Sequence, residues 1–157
     1  MHGHYAPEVL PGEYASFSLQ VGTAHAPHMD NAPFLKNRKV VISDANNNPA
    51  RTVQSFIGQI MILDYPGHIK VGFNAIIDCH VNTTGCRISK ILAKIDKKTG
   101  EVIKKNPEYI GAYDGALVEI EPYAPMVVEE YSFIAAMGRF VIRDWRQTVG
   151  VGIVKKV

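Results

Sequence analysis

The chain has 157 residues, 46% of them hydrophobic, and a formal net charge of only +2. That is enough for one good core with a small appendage, and too little charge to commit the chain to nucleic acid by field alone. No stretch approaches eighteen uninterrupted apolar residues, and Met1-His2-Gly3-His4-Tyr5 is no signal peptide, so the expectation is a soluble, cytoplasmic protein with no membrane span.

Residues 1–50 differ in texture from the rest. They hold His2, His4, His25 and His28, the prolines Pro7, Pro11, Pro27, Pro33 and Pro49, and few long apolar runs. The period-two segment 14–21, after a Pro11-Gly12 turn, reads as a strand, and 40–42 as a second, shorter one. Between them Pro27, Asp30-Asn31 and Pro33 break a loop. Asp44 to Pro49 has the composition of a linker.

From Thr52 onward the chain becomes densely β. Strands are predicted over 56–63, 73–81, 86–96, 116–120, 126–129, 139–143 and 148–154, with turns at Asp64-Tyr65-Pro66-Gly67 and Lys97-Lys98-Thr99-Gly100. Short β-branched strands at this spacing, with no helical period, predict an all-β fold. The form expected is an antiparallel barrel or a sandwich, and closure into a barrel suits so many short strands because it removes the edges they would expose.

Few residues carry chemistry. Cys79 and Cys86 are too few for a disulfide scaffold and fit no common zinc spacing, so free, buried thiols are expected. The pairs His2/His4 and His25/His28 lack supporting acids, which points to exposed loop residues and no metal site. Asp78 and His80 share a strand face and could form a dyad, but without a G-x-S-x-G nucleophile a structural pair is favoured. No G-x-x-x-x-G-K-[ST] loop and no N-K-x-D segment occurs, so neither GTP binding nor any cofactor is expected of this chain. The reading is a non-enzyme. What remains is a basic and aromatic cluster: Arg139, Arg143, Trp145, Arg146, Lys155 and Lys156. Alternation puts Arg139, Val141 and Arg143 outward and Phe140 and Ile142 in the core. These arginines and Trp145 suit a phosphate backbone and a base or sugar. The other reading pairs them with Asp144, Glu129 or Glu130 and has Trp145 cap the barrel.

From about Arg51 to Val157 the sequence resembles the last barrel of the elongation factor 1-alpha and elongation factor Tu family. The resemblance is carried by Gln59 to Ile69, Gly72-Phe73, Asp78-Cys79-His80 with Cys86, Lys94 to Gly100, Asn106-Pro107, Pro125 to Glu129 and Gly138 to Val154. Residues 1–50 resemble the end of the middle barrel, through Met1-His2, Pro11-Gly12-Glu13 and Ser43 to Pro49. The resemblance implies an all-β fold in which 51–157 form a closed antiparallel Greek-key barrel and 1–50 a short β segment and linker from an incomplete second barrel, with no GTPase domain. It also implies contact with the T-stem of aminoacyl-tRNA at the turn formed by Arg143, Trp145, Arg146 and Gln147. Departures fall in turns: Val81 to Gly85, Ala135-Ala136, and Tyr113 before Asp114.

Two functions follow as expectations. One is a translation-related binding module touching tRNA or the translation machinery. The other is a structural or adaptor subunit of a larger assembly, cytoskeletal or microtubule-associated by analogy with the family. Half a barrel in residues 1–50 leaves strand edges that call for a protein partner or a second copy to cover them.

Overall fold

The computed structural model describes residues 49–157, together with Leu10, Val41, Ser43 and Asn46. The chain divides into units Met1–Ile42 and Ser43–Val157, and every described strand belongs to the second. The expected strand over 14–21, most of that over 40–42, and both N-terminal histidine pairs lie outside the described residues.

Nine strands run in the order β1 (Phe56–Ile62), β2 (Ile69–Lys70), β3 (Asn74–Cys79), β4 (Asn82–Ile95), β5 (Val102–Lys105), β6 (Tyr109–Ile110), β7 (Gly115–Pro122), β8 (Arg139–Asp144) and β9 (Gln147–Lys156). Neighbours pair as β3-β8-β9-β1-β7-β4, and β3 pairs back onto β4. Six antiparallel strands therefore close a barrel, with β5 as an extra strand hung on β4 and β2–β6 as a separate two-stranded ladder. The expected closed all-β barrel is the fold observed.

Period-two patterning builds this wall. In β1, Phe56, Gly58, Ile60 and Ile62 are buried, while Ile57, Gln59 and Met61 face outward. Phe140 from β8 meets Phe56 edge-on, with ring centroids 5.6 Å apart. Its ring rests on two glycines: a Cβ at Gly152 would lie 2.5 Å from the ring, and one at Gly58 2.7 Å. No side chain fits there without moving a ring packed in the core.

An open strand edge lies along β5, which among the described residues pairs only with β4. It is four residues long, ends in Lys104-Lys105, and has a register shift opposite Lys94/Ile95. Short length, lysines and a bulge are the devices that keep such an edge from recruiting another chain.

One expected strand is absent. Residues 126–129 make only an isolated bridge, Met126 to Val53. Met126 and Val128 are buried as their alternation suggests, but the other backbone partners here are the Asn82 side chain and Met137. With no neighbouring strand in reach, alternation alone does not make a ladder.

Candidate functional site

The registers Ile62↔Gly150, Met61↔Gly115 and Ile95↔Gly115 bring the loop after β1, the start of β7 and the hairpin after β4 to the barrel end that carries the β8–β9 turn. Asp144 pairs with Gln147, so Trp145 and Arg146 are the two loop residues of a tight hairpin. A register shift just before it, between Ile142 and Arg143, re-aims the strand at this point. Trp145 is 84% exposed, so the reading in which it caps the barrel is corrected.

The five candidates do not act alike. Arg143 lies across the wall from Asp78: its Nε donates to Oδ2 and its Nη2 to Oδ1 at 3.1 Å. Thr83 Oγ1 donates to the same carboxylate at 2.7 Å. The Arg143 guanidinium beside Asp78 holds that carboxyl below the usual range, against a smaller opposing effect of burial and with help from Thr83. Asp78 replaces the acidic partners anticipated for Arg143, because β3 lies beside β8 in the barrel.

Arg139 points outward, donates to Tyr131 Oη at 3.0 Å and covers its ring at 5.2 Å. It begins the strand whose other end forms the turn, so the structure does not bring it to Trp145. Gln147 Nε2 donates to the Asp64 carbonyl at 3.2 Å. Arg146, exposed beside Trp145, makes no ion pair with a described residue.

Sequence reasoning missed Tyr65, whose hydroxyl donates to Asp144 Oδ2 at 3.0 Å. Burial, then the Asp144 contact, pushes its phenol up. Tyr65 also packs edge-on against Phe73, 6.0 Å between centroids. Its only trace in the sequence is its place in a Pro-Gly turn.

Asp78 and His80 do not continue one alternation, since β3 ends at Cys79 and His80 has φ 53. Cys79 and Cys86 are free and buried, and burial pushes their thiols up to about 11 and about 12. No cluster of three His, Cys, Asp or Glu side chains able to hold a metal occurs among the described residues. No helix among the described residues is long and apolar enough to cross a membrane.

The two outer faces of the barrel contrast. Along β4 and β7 they carry the cross-strand pairs Arg87–Glu121, Lys90–Glu119 and Lys94–Asp114. Along β8, β9 and β1, Val141, Val151 and Met61 stand in one register row with Met61 40% exposed.

Comparison with known proteins covers this barrel and more. The family profile described as GTP-eEF1A C-terminal domain-like matches residues 55–155. The chain is 38% identical over its whole length to elongation factor 1-alpha of Plasmodium falciparum (isolate K1 / Thailand), spanning 33% of that protein. It is 33% identical to elongation factor 1-alpha 1 of Euplotes crassus, spanning 34% of it. The chain thus spans about a third of the length of these relatives. Among solved structures, Sup35 complexed with GDP superposes with a TM-score of 0.66 at 33% identity, over 71% of this chain and 27% of that one. On the matched residues and the barrel they form, this chain belongs to the elongation factor 1-alpha C-terminal domain-like family.

Proposed function

We propose that the protein is a non-enzymatic binding module related to translation elongation, which contacts aminoacyl-tRNA or the translation machinery through the β8–β9 turn. The observation that carries this reading is the turn itself, where Trp145 and Arg146 are exposed while the residues flanking them are tied to the barrel. A cation beside an open aromatic plane suits a phosphate and the sugar or base attached to it. The sequence carries neither a G-x-x-x-x-G-K-[ST] loop nor an N-K-x-D segment for GTP, and residues 55–155 match the family's C-terminal domain. The test is binding of purified protein to aminoacyl-tRNA across a salt series, beside Arg146→Ala. Salt-sensitive binding that Arg146→Ala weakens supports the reading; no binding at low salt sinks it.

A second reading, an adaptor subunit of a cytoskeletal or other larger assembly, is favoured by the apolar outer row Val141–Val151–Met61. Such a row, opposite a face laced with ion pairs, suits a protein partner. Co-sedimentation with actin filaments or microtubules that Met61→Glu abolishes would support it, and the absence of co-sedimentation would count against it.

A further inference from the structure

Trp145 is the sole tryptophan of the chain. It holds φ 51 at the first loop residue of a two-residue hairpin, a conformation that ordinarily selects glycine, asparagine or aspartate. A bulky aromatic side chain kept in that region is an outlier whose surroundings must over-determine it. They do so from both flanks. Arg143, fixed on Asp78, also turns Nη1 toward the Trp145 carbonyl at 3.4 Å. On the same flank Tyr65 holds Asp144, and on the other Gln147 holds the Asp64 carbonyl. The backbone beneath the indole is tied down while the indole is left open to solvent.

Resting on the reading of the turn as an RNA contact, we infer that Trp145 is a preformed stacking platform for an unpaired RNA base, so that the site takes a looped or single-stranded segment in place of the duplex T-stem that the family resemblance implies. Arg143 is committed to Asp78, which leaves Arg146, the next residue in the turn, as the exposed cation there. One phosphate contact gives only a shallow salt dependence and little affinity of its own. Stacking is the larger contribution available, worth between about fivefold and about a hundredfold in affinity per base. Inside a duplex each base already has neighbours on both faces, so an unstacked base is the group that matches this surface. Fixing the turn in advance removes part of the ordering cost of binding.

The experiment uses the full chain and its single indole as the reporter. A single-stranded RNA of mixed sequence and a blunt RNA duplex of the same length are titrated in turn, with intrinsic fluorescence and the anisotropy of end-labelled RNA followed together. The single strand should quench Trp145 and bind the parent between about fivefold and about a hundredfold more tightly than Trp145→Gly. Glycine accepts the positive φ, so this variant keeps an unstrained turn. Duplex binding should be indifferent to the substitution. The inference falls alone if RNA binding depends on Arg146 while Trp145→Gly binds single strands as the parent does, or if the duplex quenches the indole equally. If neither RNA binds at low salt, both this inference and the RNA reading fall, and Trp145 becomes an anchor for a protein partner.

Discussion

Tyr65 and Asp144 are 79 residues apart in sequence and meet through a 3.0 Å hydrogen bond that ties the loop after β1 to the last residue of β8. Because Asp144 immediately precedes Trp145, this contact fixes the base of the exposed turn. Tyr65→Phe keeps the ring against Phe73 and removes only the hydroxyl. We expect stability to fall by about 0.5–1.5 kcal/mol, read from urea denaturation as a lower midpoint with an unchanged m-value.

Arg143 and Arg146 are separable by salt. A side chain that contacts phosphate changes the slope of log K against log salt by nearly one, whereas one that only positions the turn changes affinity without changing the slope. Arg146→Ala should therefore flatten the salt dependence of RNA binding, and Arg143→Ala should weaken binding with the slope retained. Equal flattening in both variants would assign Arg143 to the ligand rather than to Asp78.

Acid should loosen the barrel wall in a predictable direction. Asp78 is held below the ordinary carboxylate range by its hydrogen bonds from Arg143, partly opposed by burial. Glu119 is lowered chiefly by Lys90, and Asp96 by the backbone N–H groups of Thr99 and Lys98. At Asp114 burial acts upward as the largest single influence, but Lys94, the Gly111 N–H and Lys97 together bring it down. A depressed folded-state pKa gives stability that is complete above the unfolded value near 4 and is lost as pH falls below it. Tm should hold from pH 7 to about 5 and drop steadily below about 4. Asp78→Asn, compared with the parent at each pH, should show a shallower acid-induced drop.

The core tolerates no added methyl at Gly152. A Cβ there would meet the Phe140 ring at 2.5 Å and the Gln59 carbonyl oxygen at 2.9 Å. The ring is itself held by Phe56, and the carbonyl belongs to the paired strand β1. Gly152→Ala should destabilise by about 1–3 kcal/mol, measurable by thermal or chemical denaturation. A neutral substitution would mean that Phe140 repacks freely.

Both thiols should be inert while the barrel is closed. Burial raises Cys79 to about 11 and Cys86 to about 12, so almost no thiolate is present at neutral pH, and neither sulfur is accessible. Alkylation by iodoacetamide should be negligible in buffer and reach two groups per chain in denaturant. Rapid native labelling at either residue would show local opening of β3 or β4.

Much of the barrel was legible from alternation. In β1 and β8 each buried residue stands between outward neighbours, so period two alone located them. β5 escaped because all four of its residues are exposed, and a strand with no buried face leaves no alternation to find. β2 and β6 are two residues each, too short for any period. Residues 126–129 misled in the opposite sense, with a true buried face and no partner strand beside it. At the turn, composition singled out Arg143, Trp145 and Arg146, and the family resemblance added Gln147. It could not divide anchors from exposed groups, because Asp78 and Tyr65 lie 65 and 79 residues from the side chains they hold. Such partners emerge only from strand order.

The place of β9 has a consequence for how this protein is made. β9 lies between β8 and β1 and pairs with both along most of its length, yet the ribosome synthesises it after every other strand of the barrel. Until it emerges, β1 has only β7 beside it, and the apolar side chains of β1 and β8 have no wall between them. Barrel closure during translation must therefore wait for the last strand, which joins residues about ninety positions apart, a long loop to close before any reward in contacts. The nascent barrel is open for most of its own synthesis, and that interval is when it would most need shelter from other chains.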